Sequence, residues 1–541
     1  MVVDTLRPDT SPSPSPVAPT EGVARSPWAA PARLARRVPV NRWTVAALVL
    51  ALTLASVALR VGQLRFHYWV DEAISVGIAS HRLGALHALL RQDGSPPLYY
   101  LLLHGWMALW GRGEVSTHAL SLVFAVVTVP VAYWGGAGLF GRRVGIYAAV
   151  LAAGLPFLTE YAQETRMYSL MVLLSLLVAV GFVEGFVARR RRYLPLLAVS
   201  LAAALYTHNW ALFLGLATFL AFLVAVRLTP YAAARRALWR DGALVFGAVA
   251  VMYLPWVPTL LYQAQHTGAP WALAPVVWSL SEGGYFLVGG RGAAIAILLV
   301  AGAGLIGLRE AGRSERPTTA AAIALGVLGL GTLLIAWVYA KTTPAWSGRY
   351  LAVIVGPLLL LAALGLARAR KLGVVALVLV CCFWVLDPKP TSVDAKSNVA
   401  AVAAAMRPHV GPDTLVLSTQ PEQVPAIAYY LPAVTHFATP LGAVPDARVM
   451  DWRNALGRFE HSSVTTRLAP VVRALPAGHR VLLVVPMTFQ KNPTWMALIH
   501  RSSRRWLSYL RHDPRLSLIK VSAFKSHASK LPVRGWLFVV R

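Results

Sequence analysis

Acidic residues are scarce in this chain: 22 of its 541 residues are Asp or Glu, against 51 Lys and Arg. Two of the acids are adjacent, Asp71 and Glu72 in HYWVDEAIS (67–75), just beyond the first long apolar run. Asp93 opens DGSPPLYY (93–100), and Glu160, Glu164, Arg166 and Tyr168 crowd LTEYAQETRMYSL (158–170). His208 and Asn209 lie in YTHNW (206–210), and Lys341, Arg349 and Tyr350 in KTTPAWSGRYL (341–351). A carboxylate within hydrogen-bond reach of an attacking hydroxyl takes its proton as general base. Arg and Lys stabilise a departing phosphate by charge-assisted, often bidentate bonds. A carboxylate set opposite such cations is the equipment for moving a sugar off a lipid phosphate.

Each residue alone also has a plainer reading. Asp71 fits as the N-cap of a helix beginning near Glu72–Ala73, and Glu160–Glu164 is an ordinary i,i+4 spacing. His208 suits a hydrogen-bonded turn, and Lys341 and Arg349 suit cations reaching toward headgroups. Polar groups at membrane depth are costly, however, and face a cavity or a partner. Convergence of these patches on one membrane face favours chemistry, so the elements that place them matter.

The chain is 57% hydrophobic and 13% charged, with a mean hydropathy of +0.57; soluble domains carry roughly 25% charged residues. Repeated apolar runs long enough to cross a bilayer predict a mainly α, polytopic membrane protein. About eleven spans are expected, near 43–60, 117–138, 143–159, 166–187, 193–207, 210–227, 242–262, 292–308, 318–340, 350–367 and 372–387. Basic clusters lie between them: Arg36/Arg37/Arg42, Arg142/Arg143, Arg189–Arg192, Arg235/Arg236/Arg240, Arg309/Arg313/Arg316 and Arg368/Arg370/Lys371. With all clusters cytoplasmic, as the positive-inside rule requires, eleven spans put the amino terminus inside and the carboxyl terminus outside. Counting PPLYYLLLHGWMALW (96–110) as a further span breaks this parity, so that segment is expected as an interfacial helix. Residues 61–116 then form one long external loop, on the same side as the other acidic and basic patches.

Net charge is +29, but it is spent between apolar runs, and no basic–aromatic stripe suits nucleic acid. Cys381 and Cys382, adjacent in an apolar run, read as small hydrophobes. Residues 1–41, rich in Pro, Ser and Ala, are expected as a disordered, uncleaved cytoplasmic tail. Residues 42–387 make the transmembrane catalytic domain. From 388 to 541 the composition turns soluble: TLVLST (414–419), RVLLVVP (480–486), LSLIKVSAF (516–524) and GWLFVVR (535–541) read as strands. Helical stretches near 396–407 and 495–512 complete an extracytoplasmic α/β domain. No internal repeat suggests a two-fold transporter.

The order VDEA, D-x-S-P-P-L-Y-Y, YAQETRMYSL and LYTHNWALF resembles the GT-C superfamily of bacterial membrane glycosyltransferases. The pattern is nearest the protein O-mannosyltransferase and lipid A aminoarabinose transferase-like branch (glycosyltransferase family 39-like). LPWVPTLLYQ (254–263), PWALAPVVWSL (270–280) and SGRYLAVIVGPLLLL (347–361) extend the likeness over roughly residues 40–435. The resemblance implies an inverting transferase that takes mannose or a pentose-like sugar from a polyprenyl-phosphate donor. Its acceptor is a glycan, lipid or protein on the external face of the cytoplasmic membrane. It implies Asp71 as catalytic base, with Glu72, Asp93, Glu164, Arg166, Tyr168, His208, Lys341, Arg349 and Tyr350 around donor and acceptor, Arg349 on the donor phosphate. Relatives often carry His where this chain has Ser95, which weakens the role of Asp93. Some GT-C enzymes hold a divalent metal and others need none; Asp71, Glu164 and His208 are the ligands this chain offers. The competing classes are a flippase of lipid-linked sugars and a non-catalytic envelope-assembly protein with Asp71 as a cap.

Overall fold

In hydrocarbon every backbone N–H must be satisfied within its own segment, so apolar runs become helices. In a computed structural model of the chain, residues 41–310, 316–387, 392–487, 493–523 and 531–541 are described. The expected tail, apart from residue 41, and the basic positions Arg36, Arg37 and Arg313 lie outside them, as does the side chain of Arg309. Among the described residues, eight helices are long and apolar enough to cross a membrane: Arg42–Val61, Glu114–Phe140, Tyr168–Val187, Ala211–Leu228, Ala232–His266, Arg291–Leu308, Arg316–Thr342 and Gly348–Arg368. The three other expected spans are helical but shorter: Arg142–Gly154 with 13 residues, Leu194–Leu205 with 12 and Arg370–Leu386 with 17. At about 1.5 Å per residue, 13 residues cover roughly 20 Å, less than a full hydrocarbon core. Exposed Leu54, Val251, Leu298, Leu334 and Val378 present an apolar exterior, as a membrane protein must.

Helix α1 (Arg42–Val61) is followed by α2 (Val70–Ala79), α3 (Leu83–Asp93) and α4 (Leu98–Trp110), all before α5 (Glu114–Phe140). The segment expected as interfacial is α4: it buries Tyr99, Tyr100, Leu103 and Met107 and exposes Leu101, Leu102, Leu109 and Trp110. Next come α6 (Arg142–Gly154) and α7 (Pro156–Tyr161); then the chain leaves helical geometry until α8 (Tyr168–Phe182). Buried Arg60 joins α1 to this region. Its guanidinium donates to the Ser56 hydroxyl, to Ala152 O (3.0 Å) and to Thr159 Oγ1 (3.3 Å).

The carboxyl-terminal part builds one sheet from β1 (Thr414–Ser418), β2 (His436–Thr439), β3 (Gly442–Ala443), β4 (Arg480–Pro486), β5 (Leu516–Val521) and β6 (Val533–Val540). Their order is β3-β2-β1-β4-β6-β5, with β1 parallel to both β2 and β4 and the remaining pairs antiparallel. The four expected strands are present, as are helices Val399–Met406 and Thr494–His512. The sequence reading missed β2 and β3, which are too short to show alternation.

This part packs directly on the first loop. Tyr68 N–H donates to Tyr430 Oη (2.7 Å), Trp452 N–H to Gln92 O (3.0 Å), and the His81 ring meets Asp446 at 2.6 Å. A Cβ on Gly77 of α2 would fall 1.8 Å from Arg448 O, so only glycine permits this approach. Leu48–Arg541 accordingly form one compact unit.

Candidate active site

The VDEA stretch starts α2 at Val70, with Trp69 in the N-cap position. Asp71 is therefore inside the first turn and is not the cap. Its Oδ2 lies 2.8 Å from Arg349 Nη1, a pair joining residues 278 positions apart in sequence and keeping 17% and 14% side-chain exposure. Arg349 is delivered by the turn Gly348–Leu351 that opens the helix Ala352–Arg368. Its guanidinium carbon also sits 4.7 Å from the Trp271 ring centroid and 5.5 Å from that of Trp69. A bridge between Leu273 and Trp346 brings the 267–277 loop, and Trp271 with it, against the arginine.

Arg166 approaches from the non-helical stretch between α7 and α8. Its Nη1 donates to Ser75 Oγ (3.0 Å) and Asp71 O (3.4 Å), while Nε of both Arg166 and Arg349 has no hydrogen-bond partner among the described residues. Arg349 thus pairs with the Asp71 carboxylate and Arg166 with its backbone carbonyl, both with a donor to spare.

Tyr350, Tyr168 and His208 form the aromatic wall beside them, with His208–Tyr350 ring centroids 4.7 Å apart and Tyr168–Tyr350 6.4 Å apart. Burial, reinforced by the charges of Arg166 and Arg349, pushes the His208 imidazole down to about 3. The ring is therefore neutral, and since its Nδ1 accepts the Trp210 N–H at 3.1 Å, the proton resides on Nε2, leaving a hydrogen-bond donor. Asp93 ends α3 and accepts from Tyr100 Oη at 3.5 Å. Burial pushes its carboxyl up; the Ser95 hydroxyl and Arg166 pull it down, and the Asp71 charge pushes it further up. Asp93 therefore shares the Arg166 field with Asp71.

Glu164 is buried in the same turn as Arg166, whose N–H donates to Glu164 O at 2.7 Å. Lys341 stands elsewhere, exposed at a helix end and 4.5 Å from the Trp337 ring centroid. Asp71, Glu164 and His208 were the ligands on offer to a divalent metal, yet among the described residues no three His, Cys, Asp or Glu side chains are placed to hold one. The Asp71 carboxylate faces a guanidinium and His208 Nδ1 is occupied.

Glu72, by contrast, faces inward and is fully buried. Oε2 accepts from Trp69 N–H (3.2 Å), closing the start of α2. Oε1 receives His118 Nε2 (2.6 Å), Thr165 N–H (3.0 Å) and Lys396 Nζ (2.9 Å). The other His118 nitrogen meets Leu64 O at 2.8 Å. Lys396 also donates to Gln163 O. The sequence reading missed His118 and Lys396. The signal for His118 was an ionisable residue four positions into a span; that for Lys396 was a lysine soon after the last span.

Burial drives the Glu72 carboxyl upward, but Lys396 and then His118 outweigh it and hold the group low, at about 2. A carboxyl depressed on folding adds stability above its unfolded value, 4.5, and loses it as pH falls toward about 2. Glu72→Gln should therefore lower thermal stability at pH 7 and flatten its decline between pH 5 and 3. Scanning calorimetry in detergent checks this. Breaking a buried pair costs about 3–5 kcal/mol, so an unchanged melting profile would contradict the assignment.

Below the Arg349 turn, Gly283, Leu287, Leu298, Leu351, Ile354 and Leu358 contribute to an almost wholly apolar cavity of about 500 Å³.

Residues 94–256 match the family model described as dolichyl-phosphate-mannose-protein mannosyltransferase. No curated protein sequence matches the chain. Among solved structures it is similar to ArnT from Cupriavidus metallidurans bound to undecaprenyl phosphate: TM-score 0.57 and 12% identity, over 92% of this chain and 98% of that one. It is also similar to the archaeal oligosaccharyltransferase AglB from Archaeoglobus fulgidus, in complex with an inhibitory peptide and a dolichol-phosphate: TM-score 0.51, 11% identity, 90% and 74% coverage. A third likeness is to the arabinofuranosyltransferase AftD from Mycobacteria: TM-score 0.52, 15% identity, 93% of this chain but 40% of that longer one. At these identities the likeness is one of fold, and this chain carries the GT-C fold.

Proposed function

We propose that this protein is an inverting membrane glycosyltransferase that moves a sugar from a polyprenyl-phosphate donor to an acceptor hydroxyl at the external face of the cytoplasmic membrane. The observation that carries the reading is the Asp71–Arg349 pair at 2.8 Å, set above the apolar cavity that Leu351 and Ile354 help line. The pair supplies a carboxylate and a cation, and Leu351, two residues past Arg349, lines an apolar space suited to an isoprenoid tail. The matched dolichyl-phosphate-mannose family model, and the ArnT and AglB structures bound to undecaprenyl phosphate and a dolichol-phosphate, support the same donor class.

In this mechanism the donor phosphate takes the guanidiniums of Arg349 and Arg166. While Asp71 is paired with Arg349, that lone-pair direction is occupied; phosphate binding releases the carboxylate toward the acceptor. The acceptor oxygen forms a bond to the anomeric carbon as its proton passes to Asp71. The bond from that carbon to the phosphate oxygen breaks, and its electron pair leaves with the lipid phosphate, whose added charge the arginines stabilise. One displacement inverts the anomeric centre. His208 offers its Nε2–H to the sugar, and Tyr168, Tyr350 and Trp271 supply faces against which a pyranose or furanose packs.

Mass spectrometry of lipid extracted from the purified protein tests the donor class. The expected species is a polyprenyl phosphate or its glycoside in the wild type, depleted when Arg349 is replaced. An extract containing bulk phospholipid alone would contradict the reading.

A further inference from the structure

Lys396 lies ten residues beyond the last helix of the membrane region, Arg370–Leu386, in the chain that leads into the sheet. Its side chain nevertheless runs back into the membrane part and keeps only 9% exposure. The ammonium meets Glu72 Oε1 at 2.9 Å and also donates to Gln163 O. The same Oε1 receives the Thr165 N–H and the His118 ring. Glu72 is covalently next to Asp71, and Thr165 is covalently next to Arg166. A single carboxylate oxygen therefore ties together the two backbone segments that present the carboxylate and one of the cations of the site.

We infer that Lys396 is a positioning residue for Asp71 and Arg166, so that the catalytic centre is complete only with a group delivered by the carboxyl-terminal part of the chain. This rests on the reading of the site as a glycosyl-transfer centre. Without the ammonium, the buried carboxylate loses a charged partner, and the Trp69 and Thr165 N–H groups and His118 are left to hold it; a buried charge so stripped pulls on whatever mobile donor remains. The available movements are of α2 and of the 163–166 turn, and both carry reacting groups. A misplacement near 1 Å is enough to cost about 10²-fold in rate. The donor phosphate and tail still meet Arg349 and the apolar cavity, neither of which touches Lys396, so donor affinity falls far less than turnover.

The site is held from the same side by further contacts of this kind. Tyr430 Oη accepts from Tyr68 N–H and donates to Glu114 Oε1 at 3.0 Å, and His67 N–H donates to Val393 O. These tie the start of the first loop to the sheet-bearing part, but none reaches the carboxylate beside Asp71. Lys396 alone among them does.

Lys396→Met and Lys396→Gln are compared with wild type for transfer from a synthetic polyprenyl-phosphate sugar in proteoliposomes. Rates are normalised to folded protein measured by size-exclusion chromatography. The expected result is a fall in kcat of roughly 10²-fold with donor KM within a few-fold of wild type, and partial recovery of kcat in Lys396→Arg, which restores the charge. A general structural lesion lowers the amount of folded protein without that split and without that recovery. Wild-type kcat in either neutral variant would overturn the inference, and so would loss of folded protein in both, because Lys396 would then serve stability rather than turnover. Failure of the wild type itself to transfer sugar would instead contradict the glycosyltransferase reading and is seen separately in the same assay.

Discussion

Asp71→Asn should reduce sugar transfer by about 10²–10⁴-fold, the range typical of losing a positioned general base, while leaving the fold intact. Folding is expected to survive because Asp71 keeps 17% side-chain exposure and neither caps α2 nor supports the buried network, which runs through Glu72. Asparagine preserves shape and still accepts from Arg349, but it cannot take the acceptor proton. The loss should fall on kcat with donor KM unchanged or lowered, since a guanidinium no longer held by a full negative charge is freer to meet phosphate. Radiolabelled transfer in membranes, together with thermal unfolding of the purified variant, checks both halves. Full activity with a normal fold would remove Asp71 from the chemistry.

Arg349→Gln is expected to have a comparable effect for a different reason. The guanidinium sits among Trp69, Trp271 and Tyr350 with only 14% side-chain exposure, where charge developing on a leaving phosphate is poorly screened by water. Removing one such donor typically costs about 10²–10³ in kcat. Ground-state binding of the donor should weaken as well, so kcat and KM both move, unlike in Asp71→Asn. Arg349→Lys should recover part of kcat, because an ammonium supplies charge without the planar, two-pronged geometry. Steady-state kinetics on the three proteins separates these outcomes, and unaltered kinetics in Arg349→Gln would place the donor phosphate elsewhere.

Much of this arrangement was legible in the sequence, and the reasons differ by element. Apolar runs are read one residue type at a time, so all eleven expected segments turned up as helices. Three of them are shorter than a bilayer is thick, which hydropathy over a window does not reveal. The four longer strands of the carboxyl-terminal sheet showed as β-branched runs, whereas the four-residue β2 had no room for a pattern. Residue chemistry near a membrane surface picked out Asp71, Arg166, Tyr168, His208, Arg349 and Tyr350, and the fold gathers them. Lys341 satisfied the same sequence criteria but remains exposed beside Trp337. His118 and Lys396 went unnoticed for a physical reason: their importance comes from sharing one oxygen of Glu72, across 46 and 324 positions of sequence. Residue type and local spacing carry no trace of that. The resemblance groups Glu72 with the residues around donor and acceptor; in the fold its Oε2 contacts the N-cap backbone and its other oxygen serves as the junction between segments.

Lipid-linked sugar handling has two outcomes that look alike in a cell: transfer to an acceptor, or passage across the bilayer. The most direct measurement reconstitutes the purified protein in liposomes loaded with a polyprenyl-phosphate sugar, offers hydroxyl acceptors outside, and follows both released polyprenyl phosphate and the anomeric configuration of the product by NMR. The account predicts one lipid phosphate freed per sugar transferred, with inversion, abolished by Asp71→Asn. Intact lipid-linked sugar appearing in the opposite leaflet, with no lipid phosphate released, would contradict it.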